Sequence, residues 1–147
     1  MRLWHYKLIP ALPTKQLVSQ WRELWAILGN IKKYGNPHHI LVNKIMDYNP
    51  IHLAIYAKYV SEEMKKRGFK LNKTLTDFYD ELESLHLGDS EEKMKGLLFN
   101  DWHNIRYLRQ CYYNLQEKYD CGAISEEEWN KILEQVKVFI DARFMDV

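Results

Sequence analysis

Apolar residues in this chain repeat at the spacing of an α-helix, and this spacing restricts the fold more than any other feature. Five of them form one stripe on a helix that Thr14 is expected to cap: Leu17, Trp21, Leu24, Trp25 and Leu28. No stretch of the chain shows the alternating pattern of a β-strand. The sequence therefore predicts one all-α domain over residues 1–147, with five or six helices.

Proline and turn residues divide the first third of the chain. Pro10 and Pro13 oppose helix formation, so residues 1–13 are expected to be extended or loop-like and pinned to the body by Leu3, Trp4 and Tyr6. A turn over 34–37 follows the first helix, and the spacing over 38–46 then predicts a second helix, with His38, Leu41, Val42, Ile45 and Met46 on one stripe.

Capping residues mark the remaining helices. Pro50 suits the first turn of a third helix that ends at Gly68, with Ile51, Ile55, Tyr59 and Met64 facing inward. The cations Lys65, Lys66 and Arg67 fit either the helix dipole or the binding of a phosphate.

Three further helices are predicted from their caps. They are a short helix capped by Thr74 and Asp77, a long one from about 101 to 122, and a last one with a Ser125–Glu128 capping box. Residues 88–100 are expected to be flexible.

Glu23 is the candidate for chemistry on the first helix. At about 100° per residue it lies away from the apolar stripe, on the side of Gln16, Ser19 and Gln20, so its carboxylate is expected to face a cleft or solvent. Periodicity alone fits equally a solvated surface glutamate beside Arg22.

Short motifs add to this picture. Arg22-Glu23-Leu24 is followed after four residues by Gly29 and then by Lys32-Lys33, Arg67-Gly68-Phe69 ends the third helix, and Leu115-Gln116-Glu117-Lys118 lies late in the long helix. In their order and spacing these motifs resemble the pyrimidine-dimer DNA glycosylase and abasic-site lyase family of the phage endonuclease V type. The opening Met1-Arg2-Leu3-Trp4-His5 is similar to that of a bacterial and archaeal branch of the family.

The resemblance covers residues 1 to about 120 and implies an endonuclease V-like fold, with residues 121–147 as an additional C-terminal helix. It implies that the nucleophile is the α-amine of the first residue, here Met1, and that Glu23 is the catalytic acid. Phage-type enzymes expose a threonine by removing the initiator methionine, whereas the bulk of Arg2 opposes removal here, so Met1 is expected to persist. Two of the family's arginines are replaced, by Ala26 and Asn114, so that DNA contacts are expected to have shifted.

Seven residues are candidates for contacts with DNA: Arg2, Arg22, Lys32, Lys33, His38, His39 and Lys118. The first four are expected to share a face with Glu23, whereas the two histidines also fit a packing or capping role. Residues 1–70 contain twelve Lys and Arg against four Asp and Glu, a charge of +8, and residues 71–147 contain nine against sixteen, a charge of −7. A basic half can face phosphates, although the two halves could also simply neutralise one another.

Other classes of function find little support. Cys111 and Cys121 lack metal-ligand spacing and are interpreted as reduced thiols of a cytoplasmic protein, the histidines show no zinc pattern, and no apolar run approaches the roughly 20 residues of a membrane span. We therefore expect a monomer without metal or organic cofactor, acting on damaged double-stranded DNA.

Three hypotheses follow for the function. The first is a DNA-repair glycosylase with abasic-site lyase activity, which removes a damaged pyrimidine through an imine at the N-terminal amine. The alternatives are a non-catalytic helical nucleic-acid-binding module and a protein-interaction domain that works through its acidic C-terminal half.

Overall fold

The computed structural model describes residues 1–88 and 98–140, and all the regular structure in these ranges is helical. Five α-helices and two 3-10 helices follow in the order 3-10 (Tyr6–Ala11), α1 (Thr14–Tyr34), 3-10 (Asn43–Asp47), α2 (Pro50–Lys66), α3 (Leu75–Ser84), α4 (Ile105–Asp120) and α5 (Glu126–Lys137). The predicted all-α fold is confirmed. The flexible stretch expected within 88–100 lies for the most part outside the described residues.

The buried face of α1 is wider than the predicted stripe and is rotated toward Glu23. Its fully or nearly fully buried residues are Leu17, Gln20, Trp21, Leu24, Ile27, Leu28 and Ile31. The predicted stripe omitted Ile27 and Ile31, so its centre lay too far around the helix from Glu23. Glu23 lies at the edge of the buried face rather than opposite it, and Gln20 lies inside that face.

The N-terminal cap of α1 comes from a distant part of the chain. Thr14 is the first helical residue rather than the cap, and Pro13 occupies the cap position without a side-chain hydrogen bond. The free Thr14 N–H donates instead to Glu128 Oε2 of α5 at 3.0 Å. Glu128 also closes the predicted capping box with Ser125, so one carboxylate serves the first turns of two helices.

The prediction of a helix over residues 38–46 is wrong. The chain forms a turn followed by the short 3-10 helix Asn43–Asp47, and His38 has a left-handed φ of 56° that interrupts any α-helix there. Val42 and Ile45 are buried as expected, whereas Leu41 is exposed.

Helix α2 begins as predicted, with Pro50 in its first turn and Asn49 as its cap, but its buried face differs by about one residue from the prediction. Ile51 and Tyr59 are exposed, while the buried set is His52, Leu53, Tyr56, Ala57, Val60, Ser61 and Met64. The end of the helix agrees with the prediction, since Gly68 has φ 89° and follows the last turn.

The C-terminal helices close over the start of the chain. Helix α5 packs against the 3-10 helix Tyr6–Ala11 and against α4. Gln135 Nε2 donates to the Lys7 carbonyl at 2.8 Å, and the Lys7 ammonium lies 4.5 Å from the centre of the Phe139 ring. None of the described helices has the length and apolar character to cross a membrane.

Candidate active site

The first residues of the chain are held firmly against the helical body. Leu3 and Trp4 are buried, as the sequence predicted. The Tyr107 hydroxyl donates to the Leu3 carbonyl and the Tyr56 hydroxyl donates to the Trp4 carbonyl, each at 2.6 Å. Chain ends usually fray, so these contacts are what gives residue 1 a defined position.

Gln20 joins this segment to α1. Its buried Oε1 accepts from the Trp4 N–H at 2.9 Å. It also lies 2.8 Å from the Tyr56 hydroxyl, whose single proton it shares with the Trp4 carbonyl. Its Nε2 donates to the Arg2 carbonyl at 3.0 Å and to Glu23 Oε2 at 3.2 Å. One amide thus fixes the backbone of residues 2–4 and one oxygen of the candidate catalytic acid.

The environment of Glu23 suits proton transfer. Its carboxylate is half-buried, and burial raises the pKa of the Glu23 carboxyl, while the positive charge of the α-amine at Met1 opposes part of that rise in pKa. The opposing effect of the amine shows that the two groups lie within electrostatic range of each other.

Met1 and Glu23 lie in the wall of one pocket of about 360 Å³. Its lining residues are Met1, Arg2, Trp4, Lys15, Gln16, Ser19, Glu23, Leu41, Asn114 and Lys118. Four predicted site residues, Met1, Arg2, Glu23 and Lys118, therefore meet here from three separate parts of the chain. Among the described residues, no group of three His, Cys, Asp or Glu side chains could hold a metal ion.

Other predicted DNA-contact residues lie outside this pocket. Arg22, Lys32 and Lys33 are exposed on α1. Lys32 follows Glu23 by nine residues, which at about 100° per residue places it on the opposite side of the helix, so the expected shared face does not include it.

The two predicted histidines lie in the turn after α1. The His38 ring stacks on Tyr34 with 4.1 Å between ring centres, and His39 Nδ1 accepts from the Leu41 N–H at 3.3 Å. Both have a structural role in this turn, and neither lines the pocket.

A family model for pyrimidine dimer DNA glycosylases matches residues 1–77, which is more than half of the chain. The chain belongs to the pyrimidine dimer DNA glycosylase family. No curated protein and no solved structure matches it significantly. The family match spans Met1, Arg2 and Glu23, whereas Lys118 and Asn114 come from α4, beyond its end.

One motif that resembles the glycosylase family has a structural explanation in this member. The Arg67 guanidinium donates to the carbonyl oxygens of Leu12 at 2.7 Å and Pro10 at 3.2 Å, and pairs with Glu63 at 3.1 Å. Arg67 thus holds the end of the N-terminal segment, a role different from both the helix-dipole and the phosphate role predicted for the cations at the end of α2.

Several pocket residues of this glycosylase-family chain were missed by sequence reasoning. Lys15, Leu41 and Asn114 were not proposed as lining residues. Gln20, which does not line the pocket but donates to Glu23, was placed on the polar side of α1. A helical wheel that included Ile27 and Ile31 would have placed Gln20 in the core. No local pattern could have placed Asn114 in the same pocket as residue 1, because its position there depends on how α4 packs.

Proposed function

We propose that this chain is a DNA-repair glycosylase with abasic-site lyase activity, in which the α-amine of Met1 is the nucleophile and Glu23 the catalytic acid. One observation carries the proposal: Met1 and Glu23 line the same pocket, with Glu23 tied through Gln20 to the backbone of residue 2. Family membership supports the same reaction class.

An α-amine suits this reaction better than a lysine. With an ordinary pKa near 7.7 to 8.0, roughly a tenth to a fifth of such amines are unprotonated at pH 7, against about 0.04 per cent of lysines. The amine lone pair attacks C1′ of the damaged nucleotide, the glycosidic bond breaks, and its electron pair leaves with the base, which takes up a proton. The sugar ring then opens, O4′ takes up a proton, and a cationic imine links C1′ to the protein.

Glu23 serves both halves of the reaction. As a carboxylate it stabilises the cationic sugar, and as an acid or base it moves protons to and from the sugar. Loss of the C2′ proton to a base lets the C3′–O3′ bond break with departure of the 3′ phosphate, and water then hydrolyses the imine. A raised pKa brings Glu23 closer to neutral pH, where proton transfer in both directions is efficient.

Cations around the pocket supply the contacts to DNA phosphates. Arg2 and Lys118 lie in its wall together with Lys15. Arg22 and Lys33 are exposed on α1 and extend the positive surface, whereas Lys32 is exposed on the opposite side of the helix from Glu23 and would reach only a more distant phosphate. His38 and His39 are placed at the edge of this DNA surface in our proposal. These groups would neutralise phosphates without regard to base sequence.

Borohydride trapping on duplex DNA with an abasic site tests the proposal. Reduction of the imine should leave a covalent protein–DNA adduct, and mass spectrometry should place it on the peptide that begins at Met1. Lys15 and Lys118 are the competing amines in the pocket, so a Lys15→Ala, Lys118→Ala variant should still form the adduct. An adduct on either lysine in the wild type would reject the N-terminal mechanism but leave the lyase activity standing.

Blocking the α-amine gives a second test. Acetylation of Met1 removes the basic lone pair, so both trapping and strand cleavage should disappear while binding to duplex DNA falls only slightly. Binding of duplex DNA without any adduct from the unmodified chain would instead support the non-catalytic nucleic-acid-binding module.

A further inference from the structure

Two neighbouring aliphatic side chains project from the turn between α1 and the second 3-10 helix. Ile40 is 85% exposed and Leu41 is 49% exposed. A single exposed aliphatic residue is ordinary. Two in succession beside a candidate active site call for a partner that covers them.

The turn that presents them is braced. The His39 N–H donates to Asn43 Oδ1 at 3.1 Å, and the His39 carbonyl accepts from the N–H groups of Val42 at 3.0 Å and Asn43 at 2.9 Å. Val42, the next residue, is completely buried and anchors the turn in the core. Ile40 and Leu41 therefore stand on a fixed support and are partly preorganised for contact with another molecule.

Leu41 stands between two cavities. It lines the pocket that contains Met1 and Glu23, and with Ile40 it also lines a neighbouring cavity of about 580 Å³. Arg2 is common to both cavities, and the second one is lined further by Trp102 and Tyr107. Ile40 and Leu41, which we call the aliphatic tip, thus separate the candidate active site from the adjoining cavity.

Positive charge surrounds this tip. Lys44, Arg106 and Arg2 lie in the wall of the second cavity with one carboxylate, Asp101. Arg2, Lys15 and Lys118 lie in the wall of the first cavity with Glu23, so cations outnumber carboxylates in both. An apolar tip framed by cations matches duplex DNA, in which apolar base faces are stacked between two rows of phosphates. A purely apolar protein partner would leave these cations unpaired.

We propose that Ile40 and Leu41 form a wedge that enters the base stack of damaged duplex DNA and occupies the space left when a nucleotide moves out toward Glu23. This inference rests on the proposed function, because displacing a nucleotide from the stack of duplex DNA costs stacking and pairing energy that a glycosylase has to offset. The aliphatic side chains replace part of the lost stacking contact, and Lys44 and Arg106 bind phosphates on the far side of the tip.

The wedge is tested with duplex DNA that carries a tetrahydrofuran abasic analogue, which cannot form an imine, next to a 2-aminopurine. Entry of the wedge should unstack the 2-aminopurine and raise its fluorescence. An Ile40→Ser, Leu41→Ser variant should lose most of that rise, whereas an Ile40→Met, Leu41→Met variant should keep it. Val138→Ser is the control, because Val138 is 74% exposed and lines neither cavity.

Activity gives an independent comparison. The double serine variant should cleave abasic sites in duplex DNA at least about tenfold more slowly, yet cleave them in single-stranded DNA at the wild-type rate, since single strands need no displacement. Its unfolding midpoint should match that of the wild type, because both side chains are exposed.

The outcomes separate this inference from the proposed function. Wild-type fluorescence and duplex cleavage in the serine variant would reject the wedge and leave the glycosylase proposal intact. A fluorescence rise that depends on Ile40 and Leu41, without trapping by any form of the protein, would support the wedge and reject the catalytic proposal. No binding and no fluorescence change with the wild type would reject the wedge.

Discussion

Gln20 is the residue on which the geometry of the candidate site depends most. Its single amide bonds the backbone of Arg2 and Trp4, the hydroxyl of Tyr56 and the carboxylate of Glu23. Gln20, Trp4 and Tyr56 are buried, whereas Arg2 and Glu23 are partly exposed. Loss of the amide therefore removes the partner of the buried Trp4 N–H and of the part-buried Arg2 carbonyl.

We expect Gln20→Met to lower the free energy of unfolding by about 2–4 kcal/mol, because each buried polar group left unpaired costs about 1–3 kcal/mol. Denaturant unfolding measures this loss. The same substitution at exposed Gln110 of α4 is the control and should change stability by less than about 0.5 kcal/mol. Equal effects at both positions would mean that Gln20 does not hold the N-terminal segment.

Glu23→Gln should keep the fold and DNA binding but reduce single-turnover cleavage by roughly two to four powers of ten, as expected for loss of a positioned acid or base. The amide has nearly the same shape as the carboxylate and still reaches Gln20, so the free energy of unfolding should stay near the wild-type value. An unchanged free energy of unfolding would then assign the loss of activity to the chemistry of Glu23 rather than to its structural role. A variant that unfolds would support a structural role for Glu23. Activity within a factor of a few of the wild type would remove Glu23 from the mechanism.

At the scale of single elements, the features that depend on local interactions were predicted correctly from the sequence. The Thr74–Asp77 and Ser125–Glu128 capping boxes are both present, and Pro50 and Gly68 mark the two ends of α2 as expected. These features depend on residues within a few positions of one another, so a single sequence is sufficient to identify them.

Two elements were predicted poorly. Helix α1 is capped by Glu128 of α5 rather than by Thr14. The segment 38–46 has helical spacing but follows the left-handed residue His38, which stacks on Tyr34. The cap of α1 is a tertiary contact that hydrophobic spacing cannot reveal. The turn at His38 depends on a left-handed backbone angle and on a ring only four residues away, and hydrophobic spacing reports neither.

The cations on α1 give a prediction at this scale. Replacing Lys32 and Lys33 with alanine should weaken binding to all duplexes equally and reduce the slope of log affinity against log salt by up to about two, one for each lost phosphate contact. Because Lys32 lies around the helix from Glu23, a smaller change, near one, would mean that Lys33 alone faces DNA. Unchanged affinity and slope would remove both lysines from the DNA surface.

At the scale of the whole molecule, the site is assembled from both ends of the chain. The family match ends at residue 77, within α3, yet α4 contributes Asn114 and Lys118 to the pocket, and α5 supports the N-terminal segment through Gln135 and Glu128. The resemblance anticipated Lys118 but not the role of α5. The contacts of α5 with the N-terminal segment join residues more than a hundred positions apart, and no sequence motif predicts them.

Two buried histidines make this assembly sensitive to pH. His5 Nδ1 accepts from the Lys7 N–H at 3.1 Å, and its Nε2 lies 2.8 Å from the His103 carbonyl. His103 Nδ1 accepts from the Tyr6 N–H at 3.1 Å. Burial lowers the pKa of His5 from 6.5 to about 4, and burial together with the nearby His5 holds the pKa of His103 well below 6.5. Both rings are therefore neutral in the folded protein near neutral pH.

Because the folded state binds fewer protons than the unfolded state between pH 6.5 and about 4, stability should be complete above pH 6.5 and fall as the pH decreases through this window. His5 alone contributes up to about 1.4 kcal/mol for each pH unit. Unfolding free energies measured at pH 7.5, 6 and 5 test this slope. His5→Gln should be less stable than the wild type at pH 7.5 but lose less stability on acidification, whereas His86→Gln, at an exposed position, should keep the wild-type slope. If the unfolding free energy of His5→Gln changed with pH as steeply as that of the wild type, the acid sensitivity would arise elsewhere. The neutral His5 ring would then not be what stabilises the N-terminal segment.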